Sequence, residues 1–70
     1  MRDYNEIKKS IIGDIDWKIN YYNSSENWTY SEAFCSLMDF IDGVSRTLVY
    51  CGYDSIDFHN EMLNKLEELK

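Results

Sequence analysis

The sequence predicts an all-α fold, a small three-helix antiparallel bundle that runs up, down and up with helix 2 at its centre. Three segments repeat apolar residues at the three- and four-residue spacing of a helix. Polar residues of the types that cap helices precede each segment, and no stretch shows the alternation of a strand. The length of 70 residues allows one domain, so we expect residues 1–70 to form a single helical unit.

Helix 1 is predicted from Tyr4 to Tyr22. Asp3 and Glu6 have the spacing of an N-terminal capping box, and Gly13 interrupts the apolar pattern and would allow a bend. The polar segment 23–28 is predicted to be a loop. One face of helix 1 is expected to be buried, and its members are Tyr4, Ile7, Ile11, Ile12, Ile15, Ile19 and Tyr22.

Helix 2 is predicted over residues 30–51, after a capping box formed by Thr29 and Glu32. Its apolar residues cover about half of the circumference, more than the ~100° that packing on one side requires. We therefore expect neighbours on two sides of helix 2. Gly52 suits the left-handed conformation that ends a helix.

Helix 3 follows a cap at Asp54 or Ser55. Its apolar side is predicted to complete the core. The members of that side are Ile56, Phe58, His59, Met62, Leu63, Leu66 and Leu69.

Cysteine and histidine, which carry much of the chemistry of enzymes, are few in this sequence. Cys35 and Cys51 share helix 2 and would lie about 24 Å apart, beyond the ~7 Å that a disulfide allows. We expect Cys51 to be a packing residue and Cys35 an incidental surface thiol. His59, the one histidine, is interpreted as a hydrogen-bonded core or interface residue rather than a ligand or general base. The sequence therefore predicts no enzyme, no cofactor and no metal site.

The charge balance restricts the class of partner. Thirteen acidic residues stand against seven basic ones, for a net charge of −6. Such a chain is a poor direct ligand for nucleic acid, whose phosphates require Lys and Arg, and for an anionic membrane surface. No apolar run is long enough for a membrane span or a secretory signal, so we expect a cytoplasmic protein.

An aromatic patch is the first candidate binding site. Trp17 projects away from the apolar stripe of helix 1, beside Tyr21, and exposed Trp and Tyr are typical of interface hot spots. The predicted patch consists of Trp17, Tyr21 and Trp28. In the alternative interpretation Trp17 belongs to the core, because Trp28 and the loop cover it or because Gly13 rotates the second half of the helix.

An acidic ridge is the second candidate. It combines one row of helix 3 with the outer face of helix 2, and its members are Glu32, Asp39, Asp42, Asp54, Asp57, Glu61 and Glu68. Such a ridge suits a basic surface that normally binds nucleic acid. The alternative is a solvated face that keeps the protein soluble.

These features favour a small acidic protein-binding module. The leading hypothesis is an inhibitor of phage or mobile-element type, for example an anti-CRISPR protein, that occupies a basic surface of a host protein. The alternative hypothesis is a homo-oligomeric structural or regulatory module, in the simplest case a homodimer, in which helix 2 buries its broad apolar arc against a copy.

Overall fold

The computed structural model describes residues 3–70 and confirms the predicted helical bundle. Helix α1 spans Tyr4–Ser24, α2 spans Tyr30–Tyr50 and α3 spans Ile56–Lys65, followed by a 3₁₀ turn at Leu66–Glu68. No strand occurs among residues 3–70. Helix α1 runs through Gly13 without a break and ends two residues later than predicted.

The three helices start, and α2 stops, close to where the sequence predicts. The Asp3 carboxylate accepts the Glu6 N–H at 2.8 Å. Thr29 and Glu32 form a complete capping box, in which the Thr29 hydroxyl accepts the Glu32 N–H and the Glu32 carboxylate accepts the Thr29 N–H, each at 3.1 Å. Gly52 has a φ of 90°, so it takes the left-handed conformation that stops α2. Ser55 occupies the cap position of α3 without a capping hydrogen bond from its side chain.

Contacts between the ends of the helices establish the up-down-up order. The Tyr4 ring stacks on Tyr53 with centroids 4.5 Å apart, which places the start of α1 beside the turn between α2 and α3. The Asn23 amide N–H donates to the Glu68 carbonyl at 3.0 Å, so the end of α1 meets the end of the chain. Helices α1 and α3 therefore run in the same direction, and α2 runs opposite to both.

The core lies between the three helices, and α3 packs against both of the others. Within residues 3–70, every buried apolar residue lies on a predicted apolar face, which is the stripe of helix 1, the arc of helix 2 or the apolar side of helix 3. These residues are Ile15, Ile19, Ala33, Leu37, Ile41, Leu48, Phe58, Met62, Leu66 and Leu69. The broad arc of α2 is only partly covered, because Phe40 and Val44 are half-buried and Tyr30 and Val49 are exposed. Within residues 3–70 no helix combines the length and apolarity needed to cross a membrane.

Candidate protein-binding surface

The predicted aromatic patch is a continuous row of rings at the end of α1. Trp17 stacks on Tyr21 with centroids 5.8 Å apart, one helical turn along the same face. Tyr21 meets the edge of Tyr22 at 5.6 Å, and Tyr22 meets the edge of Trp28 at 5.3 Å. We call these four residues, Trp17, Tyr21, Tyr22 and Trp28, the aromatic cluster. The structure thus brings together the three predicted residues and adds Tyr22, which the sequence assigns only to the buried stripe.

The aromatic cluster is fixed at one end and exposed at the other. The Tyr22 hydroxyl shares a hydrogen bond of 2.8 Å with the Ser36 hydroxyl on α2, which ties the row to the bundle. Trp28 rests against Tyr22 and does not cover Trp17, which is 67% exposed. The interpretation of Trp17 as a core residue is therefore wrong. Two large rings, those of Trp17 and Tyr21, face solvent in a defined mutual geometry.

All seven residues of the predicted acidic ridge are exposed. The prediction places Asp54 and Glu68 on one row of helix 3, whereas α3 covers Ile56–Lys65. Asp54 precedes this helix, and its carboxylate accepts the Ile56 N–H at 3.3 Å. Glu68 lies in the 3₁₀ turn. Asp57 and Glu61 are the ridge members on α3 itself.

Two members of the ridge already have structural roles. Hydrogen bonds from the backbone and hydroxyl of Thr29 lower the pKa of Glu32 below its ordinary value, so this carboxylate is held in the helix cap. Glu68 lies 2.8 Å from the Lys65 ammonium, which also pairs with Asp16 on α1 at 2.7 Å. Hydrogen bonds to Asp16 and then Glu68 raise the pKa of Lys65. Within residues 3–70 the remaining ridge residues make no ion pair; they are Asp39, Asp42, Asp54, Asp57 and Glu61.

An apolar groove between α1 and α2 was not predicted from the sequence. Its volume is about 510 Å³, and no residue of α3 contributes to its lining. The one signal in the sequence is the width of the apolar arc of α2, which exceeds what its neighbours cover. The residues that line this groove are Ile7, Ile11, Asp39, Phe40, Gly43, Val44, Thr47, Leu48, Cys51 and Tyr53.

Histidine and the thiols occupy separate places. His59 is partly buried, and its Nδ1 lies 2.7 Å from the Ser45 hydroxyl, so the prediction of a hydrogen-bonded histidine is confirmed. Cys35 and Cys51 are both free and exposed. The prediction of Cys51 as a packing residue is wrong, because it lies at the edge of the uncovered groove. Across residues 3–70 no group of His, Cys, Asp and Glu side chains could hold a metal ion.

Comparison with known proteins adds no identification. No family model, no curated protein and no solved structure matches the chain.

Proposed function

We propose that this chain is a protein-binding module that uses the aromatic cluster as the centre of its interface. The observation that carries this proposal is the exposure of the Trp17 and Tyr21 pair. Trp17 is 67% exposed and Tyr21 is 49% exposed, although both rings are large enough to serve the core of a short chain. Trp and Tyr are the residue types most enriched at the energetic centres of interfaces.

The geometry of the aromatic cluster also supports this proposal. Trp17 and Tyr21 stand on a regular helix and lie against each other, so each has already lost rotamer freedom. Little further ordering is required when a partner covers them, and preorganisation of this kind increases affinity. The proposal assigns no catalytic role to the chain.

The charge of the chain indicates a basic partner. The net charge is −6, and exposed carboxylates such as Asp39, Asp42 and Asp57 attract a positive surface. An inhibitor that covers a basic, nucleic-acid-binding surface of a host protein, an anti-CRISPR protein of a phage for example, is one form of this function. In that form, affinity falls steeply between about 50 and about 500 mM salt. An affinity that does not change with salt concentration would show that the partner's surface is not basic.

Affinity capture with matched variants tests the proposed function. Proteins are captured from a lysate of the source cells with the tagged wild-type chain and with its Trp17→Ala and Tyr50→Ala variants. Tyr50 is 87% exposed and lies outside the aromatic cluster, so it controls for the loss of any exposed ring. We expect wild type and Tyr50→Ala to retain the same protein and Trp17→Ala to lose about 30-fold in affinity for it. Far-UV circular dichroism should be the same for all three. Capture that does not depend on Trp17 overturns the proposal.

Self-association is the second candidate, and the uncovered groove between α1 and α2 is the observation that favours it. Sedimentation at micromolar concentration separates the two functions. A monomer supports the module that binds another protein, and a stable dimer supports the homo-oligomer.

A further inference from the structure

The groove between α1 and α2 is lined mostly by apolar side chains. Its walls are the half-buried side chains of Ile7 and Ile11 on α1 and of Phe40 and Val44 on α2. Its volume of about 510 Å³ is within the range of sites that bind ligands in other proteins. Because α3 lies elsewhere against these two helices, nothing within residues 3–70 covers it.

Gly43 adds an independent observation. A glycine inside a helix costs about 0.5–1 kcal/mol relative to alanine, so its presence in the middle of α2 calls for a reason. No atom lies within 4 Å of the position that a Cβ at Gly43 would take, so packing inside this chain does not require the glycine. Gly43 does line the groove, where the lack of a side chain lets the backbone of another molecule approach closely.

The shape of the groove selects one mode of peptide recognition. Addition of a strand requires a sheet edge, and residues 3–70 contain no strand. Polyproline segments dock on grooves lined by aromatic rings, whereas the walls of this groove are mostly aliphatic. An amphipathic helix needs neither a sheet edge nor a groove lined by aromatic rings. It can lie between two antiparallel helices, because its side chains interdigitate with theirs as in a bundle.

The charges around the groove determine which charge its occupant should carry. Among the lining residues Asp39 carries the only charge, and Asp14 lies on the same row of α1 as Ile11 by helical spacing. The Lys18 ammonium lies over the Phe40 ring, 5.0 Å from its centroid, so the two carboxylates of Asp39 and Asp14 stand against one ammonium. A second copy of this chain would bring a net charge of −6 against −6, which opposes a dimer through this face.

We infer that this groove receives an amphipathic helix of the partner protein, with Lys or Arg residues beside its apolar face. The inference rests on the proposed function, since it names the element by which the partner binds. By helical spacing, Ile7, Ile11, Lys18 and Tyr21 follow one row of α1, from the groove to the aromatic cluster. This row is about 21 Å long, which corresponds to about four turns of a bound helix.

Synthetic peptides test the inference directly. The probe is an amphipathic peptide of about 18 residues with a leucine face and lysines on the other positions. One control peptide replaces the leucines by serine and keeps the charge, and the other replaces the lysines by glutamate and keeps the apolar face. Each is titrated into the ¹⁵N-labelled full chain. We expect the leucine–lysine peptide to bind about tenfold or more tightly than either control, with the largest shifts at Ile7, Ile11, Gly43 and Val44.

Two glycine variants supply the matched comparison. Gly43→Leu fills the groove, and Gly13→Leu adds the same side chain on α1 outside the lining; neither Cβ meets an atom within 4 Å. We expect Gly43→Leu to weaken binding of the leucine–lysine peptide about tenfold and Gly13→Leu to change it less than about twofold.

Several results would overturn the inference. They are absence of binding, equal binding of the serine–lysine or leucine–glutamate peptide, shifts centred on another face, and a stable dimer that Gly43→Leu dissociates.

The capture experiment distinguishes a failure of this inference from a failure of the proposed function. If the captured protein depends on Trp17 but not on Gly43, the module stands and the groove is not its site. If the peptide binds in the groove but no capture depends on Trp17, the groove is a binding site for a helix and the proposed role of the aromatic cluster is wrong.

Discussion

The side of α1 that faces α3 and the side that faces α2 make different kinds of contact. Toward α3, the Lys65 ammonium pairs with Asp16 at 2.7 Å. At the end of the same side, the Asn23 side chain donates to the Glu68 carbonyl and accepts the Lys70 N–H. This Asn therefore holds the last residues of the chain against α1, where Leu69 is buried.

Toward α2, contacts across the interface are fewer. The Tyr22 hydroxyl bonds to Ser36, and Lys18 lies over Phe40, but between these contacts and Tyr53 the apolar groove stays open. Polar contacts therefore fasten the side that α3 fills, whereas apolar side chains without cover remain on the other side. A chain of 70 residues has limited apolar surface to bury, and this chain leaves part of it available to another molecule.

The largest expected effect comes from one isoleucine on each side of the comparison. Ile15 is fully buried, whereas Ile11 is half-buried at the groove. We expect Ile15→Ala to lower the free energy of unfolding by about 2–5 kcal/mol and Ile11→Ala by less than half as much, measured by urea denaturation. Equal losses would show that the α1–α2 side is as closely packed as the core.

Removal of the Asn23 side chain should have the next largest effect. Asn23→Ala breaks two hydrogen bonds to the end of the chain, so we expect a loss of about 1–3 kcal/mol in unfolding free energy and faster amide exchange at Leu69 and Lys70. Asn20→Ala is the matched control on the same helix. Asn20 is exposed, and its substitution should change stability by less than about 0.5 kcal/mol. Similar losses in both variants would mean that Asn23 does not tie down the chain end.

Alanine at Gly43 should increase stability, because the position is helical and nothing crowds the new methyl group. We expect a gain of about 0.5–1 kcal/mol in thermal or urea unfolding. Gly52→Ala provides the contrast, since its φ of 90° strains any side chain and should destabilise the protein. A loss of stability in Gly43→Ala would mean that the groove is closed in solution.

The ion pair across the α1–α3 side should have the smallest effect. Asp16 and Lys65 are partly exposed, so Asp16→Asn should cost about 0.2–1 kcal/mol at neutral pH and low salt. The folded-state pKa of Lys65 is raised, so its contribution is present below the ordinary lysine pKa of about 10.4 and is lost as pH rises through the raised value. The difference between wild type and variant should therefore fade above about pH 10.4. A difference that persists there would assign the effect of Asp16 to something other than its pairing with Lys65.

Local features of the sequence predicted the fold well. Thr29 and Glu32 marked the start of α2, and Gly52 marked its end, because capping depends on residues only a few positions apart. The orientation of Trp17 away from the stripe also followed from helical spacing. Its exposure did not, because that depends on where the loop carries Trp28.

The groove and the pairing of Glu68 could be found only from the structure. Phe40 and Val44 look like core residues on a helical wheel, and only the positions of α1 and α3 show that they are half-covered. Glu68 looked like part of a helical ridge, but the chain leaves α-helical geometry after Lys65, and the Glu68 carboxylate pairs with Lys65 in the 3₁₀ turn.

By itself the sequence determined three helices, where they start and the faces that they bury, since periodicity and capping act within a few residues. The tertiary structure alone decided which flank of α2 stays uncovered and which carboxylates pair. Those outcomes depend on how the three helices pack together. The helices have too little apolar surface to cover every side, and no single segment specifies which side stays open.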